Sequence, residues 1–489
     1  MLLALLTIPV AAAVATYFMK NDVWRRATLV VTALVHTALT AGSWSIPLGS
    51  LLGGWLLLDA PGRLFLSITS VLFLGAAVYS VGYLRRESPD VRRDFEEGLL
   101  FSNEPEATFT ACLLLFLAAM TFVCVSQRFG LLWVAIEATT LTSAPLIYFH
   151  RHHRSLEATW KYLLICSVGI ALALLGNFFL AVAASDQIGN AVPLVLGDLV
   201  RQAGQLHAPW LRAAFLLLLV GYGTKMGLAP LHTWLPDAHS EAPSVVSALL
   251  SGCLLNCAFL GILRIQEVCV AAGEGAFGRD LLVIFGLMSI GLAAVFIAGQ
   301  ADYKRMLAYS SVEHMGILAL GVGLGGAATF GALLHAVNHS LTKAMLFLVA
   351  GNILAAYRSK STTDVRGVLR LLPISGVLWI TGFLAITGSP PFGPFLSELT
   401  ILKGALDQGR TAIAVTYLAL LAVVFIGMTT AVLRMAQGPV GGDVSRDRGR
   451  ESVLSVLPPA ILAVLVLVLG LYVPQALRGL IEEAARTLG

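Results

Sequence analysis

Apolar runs of about twenty residues recur along the whole 489-residue chain, separated by short polar connections. A run of that length spans the ~30 Å hydrocarbon core of a bilayer as a helix. A helix is also the form that keeps every backbone hydrogen bond internal where no water can meet it. Runs near 2–19, 28–46, 63–84, 108–126, 129–149, 161–184, 211–228, 243–264, 281–299, 304–323, 327–355, 372–388, 412–433 and 454–473 predict an all-α polytopic membrane protein with about fourteen transmembrane helices. A short apolar segment, 394–406, completes a second broken helix. Composition agrees: 12% of residues are charged, against about 25% in soluble domains, and the mean hydropathy is +0.83. The lipid bilayer is thus the expected solvent.

The net charge of +4 gives no argument for nucleic acid. The six cysteines form no CxxC pair; Cys253 and Cys257 share a helix face and read as packing thiols. No iron–sulfur, haem or dinucleotide signature occurs, so no cofactor and no metal is expected in this subunit. The N-terminal run MLLALLTIPVAAAVA lacks a preceding positive segment, and Lys20, Arg25 and Arg26 follow it. It reads as a first spanning helix rather than a signal peptide.

Basic residues set the orientation. Lys20, Arg25 and Arg26, then Arg85, Arg86, Arg92 and Arg93, then Arg151 and Arg154 fall in alternate loops. Lys304 and Arg305, then Arg358, Lys360, Arg366 and Arg370, then Arg446, Arg448 and Arg450 continue the series. The positive-inside rule places these loops in the cytoplasm and both termini outside. No soluble domain is expected, because loops 85–107 and 434–453 are too short to fold alone. The tail after Tyr472 reads as a short amphipathic surface helix.

Ionisable residues inside spans carry the functional signal, since each costs several kcal/mol unless it faces a partner or a wet cavity. Glu137 lies within GLLWVAIEATTLTSAPLIYF, where it either bonds Thr139 and Thr140 or pairs with a buried cation. Lys161 opens its span and either snorkels or joins a path. Lys225 sits deep in AAFLLLLVGYGTKMGLA, followed by Pro230, Pro236 and Pro243, with His232, Asp237, His239 and Glu241 between them. Prolines break the helix there, and broken backbone at membrane depth is tolerated only where it is buried or lines a cavity.

The second half repeats the theme. Glu313 stands eleven residues beyond Asp302, about 16 Å along a helix. His335, His339 and Lys343 recur every fourth residue on one helix face, as a side-chain proton relay requires. That spacing suits a metal too, but no acid or cysteine accompanies it in the sequence. Pro390, Pro391 and Pro394 break a second span, which then carries Glu398. Glu137 and Glu313 are 176 residues apart, Lys161 and His335 174, and Lys225 and Glu398 173. Two proline-interrupted spans in corresponding halves are the mark of an inverted-repeat transporter. Glu137, Lys161, Lys225, Glu313, His335, His339, Lys343 and Glu398 are expected to form a polar axis at mid-membrane depth.

These residues make the chain resemble the antiporter-like membrane subunits of respiratory complex I, multisubunit sodium/proton antiporters and membrane-bound nickel–iron hydrogenases. The resemblance runs from about 100 to 470. It rests on Glu137, GTKMGLAPLHTWLPDAH, DYKRMLAYSSVEHMG, HAVNHSLTKAMLFLVAGNI and GSPPFGPFLSELTIL. WLPDAHSEAPS and SSVEHMG are most similar to the hydrogenase-4 F-component branch. The resemblance implies two inverted five-helix repeats, each with a broken helix, with Glu137, Lys225, Lys304, Lys343 and Glu398 carrying protons. It divides the chain into an N-terminal three-helix segment (1–106), a first repeat (107–266), a second repeat (280–435) and a C-terminal helix and tail (453–489). Where many relatives carry a histidine this chain has Ser251, so water or His232 serves the first-half relay. Glu398 replaces a lysine common in the distal subunit. The largest relatives add a long lateral helix after the last span, which argues against that subunit.

The resemblance implies a non-redox, proton-translocating subunit of an oxidoreductase complex in a bacterial or archaeal inner membrane. Its partners are other membrane subunits and a soluble redox arm, either a nickel–iron hydrogenase with iron–sulfur proteins or a quinone-reducing module. The alternatives are a sodium/proton antiporter subunit without a redox partner and a structural subunit whose axis no longer conducts.

Overall fold

The computed structural model describes residues 1–46, 49–87, 90–95, 97–185, 192–440 and 451–489. Arg446, Arg448 and Arg450 lie outside them. The chain opens with α1 (Leu2–Phe18), α2 (Asp22–Gly42), α3 (Ala60–Leu84), α4 (Glu106–Val125), α5 (Phe129–Ile147), α6 (His153–Ala183) and the short α7 (Leu196–Arg201). There follow α8 (Ala208–Met226), α9 (Trp234–Glu241), α10 (Ser244–Leu249), α11 (Leu255–Ala271), α12 (Gly275–Ile297), α13 (Tyr303–Leu324) and α14 (Ala327–Tyr357). The chain closes with α15 (Val368–Leu371), α16 (Pro373–Ile386), α17 (Gly393–Asp407), α18 (Thr411–Ala436), α19 (Val453–Leu471) and α20 (Gln475–Arg486). Among the described residues ten helices are long and apolar enough to cross a membrane, α10 and α11 counting as one, and α1 and α16 are shorter apolar helices.

Local chemistry sets the boundaries. Asn21 caps α2 by accepting from the backbone N–H of Val23 at 2.9 Å, and Asp302 caps α13 by accepting from Lys304 and Arg305 at 2.7 and 3.0 Å. Loop 85–107, expected to be too short to fold alone, holds a two-stranded hairpin pairing Arg92–Arg93 with Leu100–Phe101. The tail is helical as expected: α20 buries Leu480, Ile481 and Ala484, and the Gly489 carbonyl accepts from Gly326 N–H.

Both expected helix breaks are present. The first follows α8 at Gly227 (φ +83°) and ends where α9 begins. The second follows α16, passes Gly388 (φ +64°) and ends at α17. The single offset read from the sequence holds for only part of the chain. The starts of α5 and α13, and of α6 and α14, are 174 residues apart, but the last residues before the breaks, Met226 and Ile386, are 160 apart. Lys225 therefore precedes its break whereas Glu398 follows its own, so the two do not occupy corresponding places.

Close helix contact depends on missing side chains. On Gly169 of α6 a Cβ would lie 2.7 Å from Thr224 Cβ of α8, and on Gly316 of α13 it would lie 2.7 Å from the Gly286 carbonyl of α12. Small residues admit such approach where lipid gives no hydrophobic drive between helices. The most enclosed helices are α10–α11, with the whole of the span's most apolar stretch buried, and α13, with 94% of it buried; α18 is the most exposed of the long apolar helices, with 22%. The polar residues sit mainly on this enclosed core. Cys124, Cys166, Cys253, Cys257 and Cys269 are buried, Cys112 is half-buried, and all six thiols are free.

Candidate functional site

Lys225, one residue before the end of α8, is fully buried. Its Nζ donates to Thr140 Oγ1 at 2.8 Å and to the Tyr162 hydroxyl at 2.5 Å, and lies 4.4 Å from the centre of the Tyr162 ring. Thr140 donates onward to Glu137 Oε2 at 3.2 Å, and Ser167 donates to Glu137 Oε1 at 3.3 Å. Glu137 and Lys225 are thus linked through one hydroxyl rather than paired directly. Thr139 does not bond Glu137; its hydroxyl donates to the Ile136 carbonyl.

Lys161 stands apart. Its side chain is 45% exposed and pairs with Glu157 at 2.6 Å and Asp237 at 3.0 Å. The expectation that it belongs to a buried axis is not met, because its position on α6 turns it to the outer face, where two carboxylates hold it.

The second cluster is assembled by α13, α14 and α17. Lys343 is buried and donates to the Leu307 carbonyl at 2.6 Å and to Ser310 Oγ. Glu313 is buried three residues beyond Ser310 on α13, its Oε2 without a hydrogen-bond partner among the described residues. His314 and His335 share a 2.8 Å hydrogen bond between Nδ1 and Nε2. His335 Nδ1 meets Ser397 Oγ at 2.9 Å, and Ser397 donates to the Pro394 carbonyl at 2.9 Å. That pattern puts the His335 proton on Nδ1 and makes His314 Nδ1 the donor to His335 Nε2. His339 follows one turn on, its ring 4.9 Å from His314 and 6.3 Å from His335. Glu398 folds back toward the second break: a Cβ on Gly388 would fall 2.0 Å from its Oε2. The sequence spacing left the histidines without an acid; the fold supplies one. One ring nitrogen each of His314 and His335 and a Glu398 oxygen all lie within 4.8 Å of one another.

Between the clusters stands His239, fully buried on α9 and absent from the sequence-based set. Its ring stacks on Phe347 at 5.4 Å and lies 6.4 Å from Trp234. Neither of its ring nitrogens, nor either of those of His339, has a hydrogen-bond partner among the described residues. The signal was available: His239 lies in the proline-broken stretch two residues beyond Asp237. His232 is in the first break, its ring 6.2 Å from Tyr309. A second feature that spacing cannot reveal is the π-helical turn Leu250–Leu254, whose Ser251 meets Ser311 Oγ of α13 at 2.8 Å. Such turns insert one residue and re-aim side chains.

Lys304 has a different environment from Lys225 and Lys343. Its Nζ donates to the Ser240 and Ala242 carbonyls at 2.8 and 2.7 Å, so it caps the C-terminal end of α9. Nearby, Lys360 pairs with Glu241 at 2.7 Å, and Arg305 pairs with Asp237. Arg26–Glu106 (2.6 Å) and Arg154–Asp94 (2.9 Å) are further pairs at helix starts and a loop on the side that the basic series marks.

A profile of the NADH:quinone oxidoreductase/Mrp antiporter transmembrane family matches residues 126–425. This chain belongs to that family. It is 36% identical over 429 residues to a hydrogenase-4 component F homolog of Methylacidiphilum infernorum, covering 86% of each chain. It is 27% identical over 469 residues to NADH-quinone oxidoreductase subunit N of Desulforudis audaxviator, covering 92% of this chain and 89% of that one. Its fold superimposes on a chain of the archaeal membrane-bound sulfane sulfur reductase, a respiratory membrane complex, with a TM-score of 0.87 at 21% identity, covering 100% and 97% of the two chains.

Proposed function

We propose that this chain moves protons across the membrane along its buried polar axis, as a subunit driven by redox chemistry in partner proteins. The observation that carries this reading is the directed chain Lys225–Thr140–Glu137 together with the Lys343–Ser310 and His314–His335–Ser397 bonds. A protonated Lys225 donates to a hydroxyl that already donates to a carboxylate, so a proton leaves toward Glu137 by exchange along existing bonds. In the second cluster a proton passes between His314 and His335 by exchange of the shared hydrogen. His239 and His339 lie between the clusters, and waters bonded to their ring nitrogens would complete the path. Glu398 ends it beside the second break.

Taking α1, α2 and the interrupted pairs α8–α9 and α16–α17 as one crossing each beside the ten long apolar helices makes fourteen spans, with both termini outside by the positive-inside rule. We take the arm to be a nickel–iron hydrogenase, supported by the 36% identity to a hydrogenase-4 component F homolog; a quinone-reducing arm is the alternative, since the family includes NADH:quinone oxidoreductase subunits. No cofactor is assigned to this subunit.

Gentle purification of the untagged chain's parent assembly tests the reading, followed by mass spectrometry and by substrate-driven acidification of sealed vesicles. Nickel–iron hydrogenase and iron–sulfur subunits, with acidification independent of sodium, are expected. Recovery without any redox protein, with proton movement requiring sodium, would replace this reading by a sodium/proton antiporter.

A further inference from the structure

We propose that His314, His335 and Glu398 form a binding site for a divalent transition ion of the zinc class, placed across the second half of the axis. The site is built from three elements: α13 gives His314, α14 gives His335 and α17 gives Glu398. All three residues are buried, and their ligand atoms lie within 4.8 Å of one another. Zinc binds imidazole nitrogen and carboxylate oxygen at about 2.0–2.2 Å, so donors around a tetrahedral ion stand roughly 3.4 Å apart. The present spacing brackets that value: the two linked nitrogens are closer, at 2.8 Å, and a small rotamer change opens them.

The surroundings are those of a metal ligand set. Ser397 holds the Nδ1 proton of His335, which leaves Nε2 as a lone pair facing the site; an oxygen partner on the outer nitrogen fixes tautomer and ring orientation in metal sites. His314 becomes a ligand by carrying its proton on Nε2, so both imidazoles remain neutral and no proton is lost from the pair. Gly388 leaves room for the Glu398 carboxylate, since any Cβ there would collide with it. Solvent supplies any further donor, since three protein ligands with an open fourth position is an arrangement zinc accepts. Two nitrogens and one carboxylate oxygen suit a borderline ion rather than magnesium or calcium, which require oxygen sets.

The consequence for transport rests on the proton reading above. The nitrogens that bind the ion are those that exchange the shared hydrogen, so an occupied site closes the path. Binding itself does not depend on that reading, and the two fail separately.

The test uses the whole untagged protein in detergent, stripped by chelator and titrated with Co²⁺, then with Zn²⁺. One equivalent of Co²⁺ is expected, with the intense visible bands of a four- or five-coordinate ion that Zn²⁺ abolishes. Glu398→Gln and His335→Gln are each expected to weaken binding by at least about tenfold, while His153→Gln, outside the cluster, leaves it unchanged. X-ray absorption of the unaltered protein reports imidazole scatterers even if the variants fail to fold. No retained ion, an all-oxygen shell, or binding indifferent to both variants would overturn the site. In vesicles, Zn²⁺ is expected to stop acidification and chelator to restore it; full acidification with the ion bound would overturn the blocking role. Vesicles that never acidify would fail the proton reading while leaving the binding result intact.

Discussion

Lys225 is held by two hydroxyls and an aromatic face, with no carboxylate in direct contact. When protonated, a lysine so placed makes charge-assisted hydrogen bonds, each worth about 1.5–3 kcal/mol, and among the described residues it is not locked by an ion pair. Thr140 is the residue through which it communicates with Glu137. Thr140→Val removes that hydroxyl at nearly constant volume, so proton movement is expected to fall by about tenfold or more, measured as the initial rate of vesicle acidification, while Thr139→Val leaves it near normal. Lys360 and Glu241 make the contrasting case, a buried direct pair at 2.7 Å. Lys360→Met strands the carboxylate and is expected to cost about 3–5 kcal/mol, seen as a lowered thermal midpoint in detergent. Lys360→Met with Glu241→Gln is expected to recover most of it. The buried ionisable residues were largely legible because charge inside an apolar run is conspicuous. Their partners were not: Thr140, Tyr162, Ser310 and Ser397 are ordinary hydroxyl residues whose role appears only when helices distant in sequence meet. Lys161 shows the converse, since the run that contains it does not say which way its helix face turns.

At the scale of elements, two interrupted helices place the chemistry. Prolines announced both breaks, and Gly227 and Gly388 execute them with positive φ. Gly388→Ala forces a side chain into a left-handed backbone, at about 1–2 kcal/mol, and drives its Cβ against Glu398. Acidification is expected to fall to a small fraction of normal in an assembled protein; retention of full rate would show that the seat of Glu398 does not matter. The offset between halves misled where it mattered most. The helices α5–α6 and α13–α14 keep one offset, but the segment 184–207 with α7 shifts the first break, so Lys225 and Glu398 fall on opposite sides of their breaks. No local pattern marks the π-helical turn at Leu250–Leu254 either, because it depends on what packs against α10 and α11.

In the whole molecule, the enclosed helices α10, α11, α13 and α14 run through the centre while α6, α18 and α19 face outward. Gly286 and Gly316 set the depth of the α12–α13 contact. Gly316→Leu is expected to separate these helices and abolish recovery of the folded chain by gel filtration; a normal elution profile would contradict that. The many-helix architecture followed from apolar run length, whereas the placing of His239 between the clusters needed the tertiary fold. Lys343 is the sharpest probe of proton conduction along the buried axis: its amino group is fully enclosed and its bonds go to Leu307 and Ser310 alone among the described residues. The measurement is substrate-driven acidification of sealed vesicles carrying the parent assembly with Lys343→Met, normalised to assembled complex and to redox turnover. If the axis conducts protons, pumping is lost while the assembly is recovered at normal yield. Pumping at the unaltered rate would contradict it.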